Sequence, residues 1–532
     1  MSIQVLKKTS EAPVEKQAKS DQLTVPLDDN TSGIQTIFDS KSMSDEEKEK
    51  NIKQQFKLIL MTDKQDIWKK FSIEMFKCLQ NYIGNCNSGL EKSLLDYVAF
   101  AAEKGYDESH THDLYWSVRE SGLKTKLEQL IKLKVEEEEE QEKKQIEKRQ
   151  FSETVQKLVC AYQLFMNNND TERNTNEICM KVLQKDLEII LSKFQQKKEA
   201  TQKELQQAVI TMQTPVKIRD KYGFFHYQIN SDLVYGGMIP LFHLNCDPHI
   251  GCLQCITVHQ PGTQEFHSAV MDSIGEITLK DVQNSRYFSS NFQQNLTKNH
   301  KIIDHLSFQI INFANSNPLQ SKQHKDANST LENPSVSYIA SVVKMLFNIL
   351  NQNEWNCSTA QNTPKLLESI GKLAQIKFLE PTMNEKDIDS ICRIKYNFLK
   401  CMRQIQQFGD DKTLERLTNN FYAHSLVLAI ASCGGSSIQN NDVIEQAALN
   451  TEKFFTELFL GRNKAHEFFG SQKSLAKISL EQSEEEGGYE EVDAWLKVKN
   501  KDFQTRAKYA INAMSNFYEY GKSYYEPVEE DD

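Results

Sequence analysis

Five side chains able to bind soft or borderline metal ions fall close together: Cys246, His249, Cys252, Cys255 and His259. Thiolates and imidazoles hold zinc when four of them converge on a tetrahedron, and structural sites usually supply them as two close pairs separated by a linker. The spacing here is not of that kind. If residues 250–258 form a strand, Cys252 and Cys255 point to opposite faces, because side chains alternate. If the segment is helical, Cys252, Cys255 and His259 share a face. The neighbouring residues carry a strand signature, so buried thiols and surface histidines are expected, with no metal ligand among them. Cys252 and Cys255 also do not open a helix after a strand, as a redox Cys-x-x-Cys pair does.

Other constellations are weaker. Asp28, Asn30, Ser32, Gly33 and Asp39 occupy positions one, three, five, six and twelve of an EF-hand loop, but Gln35 replaces the usual apolar residue and Pro26 spoils the incoming helix. His110 and His112, beside Asp107, Glu108 and Asp113, could chelate a metal, but a loop with a capping Asp or Thr explains them better. Ser432, Cys433, Gly434, Gly435 and Ser436 follow an apolar helix and suit its C-terminal cap better than a nucleophile turn. Phosphate-binding Gly-rich loops, nucleophile elbows and His-Glu-x-x-His helices are missing. No catalytic, ligand-binding or metal-binding residue is assigned, and no cofactor is expected.

Composition narrows the classes further. The chain has 532 residues and a formal net charge of -11. An acidic balance argues against a general nucleic-acid binder, whose affinity needs clustered cations. No apolar run approaches the ~20 residues of a membrane span. The first residues lack a secretory core and are too acidic for a transit peptide. The 11 cysteines are odd in number and scattered, which fits reduced thiols in the cytosol.

The elements that must position these groups are mostly helical, as 11 Pro and 20 Gly over the whole chain suggest. Residues 1–43 are expected to be a disordered tail. Residues 44–120 hold N-terminal helices, begun by a capping box at Ser44 and Glu47. Residues 121–213 form a long helical hairpin. Its first helix carries a run from Glu136 to Glu140 exposed on all sides, and its second is one helix over 174–213. Residues 223–229, 233–244 and 250–258 are short, aromatic and branched, with turn residues between them, and are expected as strands of an α/β module over 214–285. Residues 286–480 read as a helical bundle or short stack of helix pairs, with helices over 302–313, 336–350, 364–374, 385–408, 414–432 and 443–460 and no clear repeat period. Residues 481–532 hold a linker, a final helix over 494–517 and an acidic tail.

Ile239, Pro240 and Leu241, then Ile250, Gly251, Cys252, Leu253 and Gln254, then Phe266 ahead of Ala269, Val270 and Ile274 resemble the C-terminal half of a GAF domain, over about residues 215–285. The resemblance implies a sheet with packed helices and a pocket or a dimer contact. A rival reading takes residues 234–241 as the start of an armadillo-type repeat. Helical arms around a GAF-like module also resemble some axonemal spoke proteins, which implies a cytoskeletal or ciliary setting. The expected function is a non-enzymatic scaffold or adaptor subunit of a larger cytoplasmic assembly. It would bind other proteins, with no direct nucleic-acid partner and no membrane span. Two alternatives stay open, a small-molecule sensor using a GAF-like pocket and an armadillo/HEAT-like helical-repeat interaction protein.

Overall fold

A computed structural model describes residues 122–143, 173–217, 233–246, 250–258, 260–284, 291–316, 334–374, 385–431, 440–462, 468–497 and 501–515, with scattered positions between 40 and 159. The chain divides into two compact units, residues 1–127 and 128–532. In the first, Ser44 and Glu47 form the expected reciprocal cap: Ser44 Oγ accepts from the Glu47 amide at 3.2 Å, and the Glu47 carboxylate accepts from the Ser44 amide at 3.0 Å.

Helix α1 (Leu123–Lys143) runs through the acidic stretch as its apolar spacing demands. Leu127, Leu130, Ile131 and Val135 are buried on one side, while Glu136, Glu137, Glu139 and Glu140 are exposed. The helix expected over 174–213 is instead two, α2 (Arg173–Gln195) and α3 (Gln202–Lys217). The break is a second capping box. Thr201 Oγ1 accepts from the Glu204 amide at 3.2 Å, the Glu204 carboxylate accepts from the Thr201 amide at 2.8 Å, and Lys197 turns the chain at φ 56. Thr201 and Glu204 carry the sequence signature of such a start, so this boundary was legible.

The GAF-like α/β module does not form. Among the described residues there is no β-strand, only isolated bridges between Leu244 and Ile256 and between Arg462 and Phe469. Residues 233–244, expected as a strand, make a π-helical turn π1 (Leu233–Met238) and the short α4 (Ile239–Phe242). Residues 250–258 are irregular, and 223–229 lie outside the described residues. The physical reason is ambiguity in short apolar runs, which cannot separate strand from buried helix by periodicity. Leu233, Val234, Met238, Ile239, Leu241 and Phe242 bury their side chains among helices.

The described residues from 263 onward form a set of successive three-helix units. They comprise α5 (Thr263–Asn284), α6 (Asn291–Gln294) with π2 (Asn295–Asn299), and α7 (Ile302–Ser316); α8 (Val336–Leu350), α9 (Glu354–Asn362) and α10 (Leu366–Ala374); α11 (Glu385–Phe408), α12 (Asp411–Asn419) and α13 (Tyr422–Ile430); and α14 (Asn441–Leu460), α15 (Lys473–Glu485) and α16 (Gly488–Leu496). A closing helix, α17 (Lys501–Met514), follows. The long helices α3, α5, α8, α11, α14 and α17 each pack on the next and make one layer. The third helices α7, α10, α13 and α16 make a second layer, each seated on the long helix that follows it.

One corner recurs in all four units. The residue before the third helix is left-handed: Lys301 (φ 47), Lys365 (φ 62), Phe421 (φ 58) and Gly487 (φ 69). In each case its carbonyl accepts the first helical bond, from the amides of His305, Ser369, Ser425 and Glu491 at 3.2, 2.9, 3.0 and 3.1 Å. The left-handed residue interrupts the right-handed helical path, so the third helix starts anew after it. It also divides the helix expected over 414–432 into α12 and α13. The final helix expected over 494–517 is likewise two, α16 and α17.

The layers are tied by apolar packing and a few buried polar groups. Asn450 of α14 donates to the Leu399 carbonyl of α11 at 2.7 Å and to the Tyr422 hydroxyl of α13 at 3.1 Å. Gly275 lets α5 lie close on α8, since a Cβ there would come within 3.0 Å of Asn348 Nδ2 and 3.4 Å of Met345 Cα. Among the described residues, no helix is long and apolar enough to cross a membrane.

Candidate metal centre

The chain leaves α4 at His243, whose amide closes the helix on the Pro240 carbonyl at 3.3 Å. The following segment is too irregular to satisfy its backbone in a ladder, and side chains do much of that work. Asn245 turns left-handed at φ 52 and clasps Val258, donating to its carbonyl at 2.8 Å and accepting from its amide at 2.7 Å. Backbone bonds from Asn245 to the Ile256 carbonyl and from Ile256 to the His243 carbonyl, both 2.9 Å, complete the base of a loop. Gln260 then grips the α2–α3 corner, accepting from the Ala200 amide and donating to its carbonyl at 3.0 Å each. The loop is thus closed at its neck, and Cys246 and Cys252 are folded back on His243.

The third helix of the first three-helix unit, α7, supplies the other side. The left-handed turn at Lys301 separates His300, at the end of π2, from His305, in the first turn of α7. Both rings face His243, with centroids 5.2 and 5.1 Å away. The ligand atoms of His243, Cys246, Cys252 and His305 all lie within 4.8 Å of one another. His243 Nδ1 is 3.2 Å from Cys252 Sγ and 3.9 Å from Cys246 Sγ, while its Nε2 is 2.9 Å from His300 Nδ1. Behind the ring, His267 Nε2 reaches the Phe242 carbonyl at 2.9 Å and its Nδ1 meets the Tyr338 hydroxyl at 3.3 Å, which anchors the end of α4 to α5 and α8.

The electrostatics follow from so many neutral donors in one half-buried place. Burial, and then the imidazoles of His305, His300 and His267, push His243 down to about 3. Burial and the neighbours His300 and Lys301 push His305 down to about 4. Burial drives the Cys246 thiol up, helped by Cys255 and Cys252. These directions are the reverse of a thiolate–imidazolium pair, in which a protonated imidazole lowers the thiol. A bound cation would reverse the thiol's direction and reinforce that of the imidazoles, since it favours the deprotonated form of every donor it touches.

Two of the five residues singled out by sequence, Cys246 and Cys252, belong to this cluster. Cys255 lies beside it, its thiol 3.8 Å from the Cys246 carbonyl. His249 and His259 lie outside the described residues, as do Asp28, Asn30, Ser32, Gly33 and Asp39, the group around His110 and His112, and residues 432–436. His243 and His305 were missed. His243 sits three residues before Cys246, a spacing readable in the sequence. His305 arrives only through the packing of α7.

No family model and no curated protein matches the chain. Among solved structures, the crystal structure of an engineered protein superposes with a TM-score of 0.41 at 11% identity, over 93% of this chain and 97% of its own. A second engineered protein gives 0.34 at 11% identity, over 63% and 96%. A chain from work on a phosphorylation switch between cadherin and β-catenin gives 0.32 at 8% identity, over 91% and 96%. All three scores fall below 0.5.

Proposed function

We propose that the chain is a non-enzymatic helical-repeat protein that binds other proteins, a scaffold or adaptor of armadillo/HEAT type. The observation that carries this reading is the fourfold recurrence of a three-helix unit with the same left-handed corner, at Lys301, Lys365, Phe421 and Gly487. Units that contact only their neighbours build an extended surface, and such surfaces serve protein recognition. Half-exposed side chains on the long-helix layer add binding chemistry: Lys400 lies over the rings of Phe347 and Tyr396 at 4.9 and 4.2 Å. The axonemal resemblance rested on a GAF-like module and falls with it, as does the sensor reading.

The test is affinity purification of the full chain at native expression, followed by quantitative mass spectrometry and size analysis. The expected result is a reproducible partner in near-stoichiometric amount, reduced by Lys400→Glu. Recovery of the chain alone and monomeric would overturn the reading.

A further inference from the structure

We propose that His243, Cys246, Cys252 and His305 bind one zinc ion, which staples the irregular segment after α4 to the first turn of α7. The proposal stands apart from the protein-binding reading. Two thiolates and two imidazoles are an ordinary zinc donor set, with bonds of about 2.3 Å to sulfur and 2.0–2.1 Å to nitrogen. A tetrahedron with those bonds has edges of about 3.4–3.8 Å. The separations of His243 Nδ1 from the two sulfurs, 3.2 and 3.9 Å, bracket that range, and the whole set lies within 4.8 Å. Small side-chain rotations close the rest.

Charge balance favours a divalent ion. Two thiolates and two neutral imidazoles neutralise Zn²⁺, so a half-buried site carries no net charge, and burying an uncompensated charge is costly. Four protein ligands also close the tetrahedron and leave no position for a reactive water, which makes the site structural. The outer partner is in place. With Nδ1 on the metal, His243 carries its proton on Nε2 and donates it to His300 Nδ1 at 2.9 Å. That bond sets the tautomer and the ring orientation, so His300 is a positioning residue.

The loop needs such a staple. Gly251, Leu253 and Gln254 are exposed, with Leu253 at 101% of its reference area, so apolar burial contributes little to holding its tip. Cys255, also a thiol of this loop, is not among the four and serves as the internal control.

The experiment is zinc analysis of the full-length chain, purified under reducing conditions from zinc-supplemented cells. One equivalent per chain is expected. Cys246→Ser or Cys252→Ser drops it toward zero, Cys255→Ser retains it, and His300→Ala weakens affinity by about 10–100-fold. Helical circular dichroism checks that each variant folds. Should a variant fail to fold, cobalt(II) exchanged into the unmodified chain gives the second readout, a thiolate-to-cobalt charge-transfer band. A melting temperature that falls on chelation and returns with added zinc also supports the staple. The proposal is overturned by a chain that neither carries nor takes up zinc, by iron or copper in its place, by full zinc content in the Cys246→Ser/Cys252→Ser double variant, or by a native Cys246–Cys252 disulfide.

Discussion

Lys365 and Phe421 hold the same place in successive units: each is left-handed, each precedes a third helix, and each offers its carbonyl to the amide four residues on, at 2.9 and 3.0 Å. Lys301 and Gly487 continue the series. Left-handed backbone costs a residue with a Cβ about 1–2 kcal/mol, and glycine escapes this. That three of the four corners are not glycine means the packing of the third helices holds them there.

The corner makes a paired prediction. Phe421 is 55% exposed, so Phe421→Gly loses little burial and relieves the backbone. Stability should stay level or rise by up to about 1 kcal/mol. Gly487→Ala should cost about 1 kcal/mol, because its Cβ would meet only Glu490 Oε2, at 3.7 Å, and backbone conformation alone decides the outcome. Urea unfolding of the two variants checks both signs. A destabilised Phe421→Gly would show that its ring, not its turn, matters.

Arg462 is a buried cation on which two units converge. Its guanidinium donates to the Gly409 carbonyl at 2.7 Å, the Gln406 carbonyl at 2.6 Å and the Glu457 carboxylate at 2.7 Å, and it lies 4.8 Å from the Phe469 ring. Removing it takes the counter-charge from Glu457, which keeps only the Gln406 Nε2 donor at 2.8 Å, and takes the guanidinium from the two carbonyls at the end of α11. Arg462→Met should cost about 3–5 kcal/mol. Arg462→Lys should not restore it, because one ammonium cannot span three acceptors set for a planar fork. Thermal unfolding of the two variants measures this, and a near-native Arg462→Lys would refute the argument.

Gly275 permits the close approach of α5 and α8. Gly275→Val would press branched carbons toward Asn348 Nδ2 and Met345 Cα, already 3.0 and 3.4 Å from a bare Cβ. Overpacking of this kind costs about 1–3 kcal/mol, despite the better helix propensity of the new residue. An unchanged urea midpoint would mean the two helices can separate freely.

Asp410 caps α12, and its carboxylate accepts from the Thr413 amide at 2.8 Å and hydroxyl at 2.7 Å. Burial alone would raise its pKa, but these bonds outweigh it and hold the carboxyl below its usual range. A depressed carboxylate stabilises the fold above the unfolded value, about 4, and loses that contribution as pH falls through the folded value. Asp410→Asn keeps a cap and cannot titrate. The stability advantage of the native chain over this variant, measured by denaturation from neutral to acid pH, should shrink below about pH 4. A constant difference would show that the charge contributes nothing.

Local rules alone determine much of this protein. Val336–Leu350 and Glu385–Phe408 have the bounds that apolar spacing and flanking turn residues indicate, and Ser44 caps with Glu47 as its motif requires, because these interactions span three or four residues. The break at Thr201 was equally local and carried its own signature. The repeat was not legible, since its units share a backbone corner and differ in loop length and side chains. Nothing about Lys365 or Phe421 as residue types favours a left-handed turn. The aromatic run of residues 233–244 could bury itself as strand or helix, and only neighbours such as Leu187, against which Gly237 packs, chose the helix. The candidate metal centre is the clearest case. Cys246 and Cys252 were visible, but their fourth companion, His305, reaches them because a corner at Lys301 aims α7 at the end of α4, and sequence spacing cannot express that geometry.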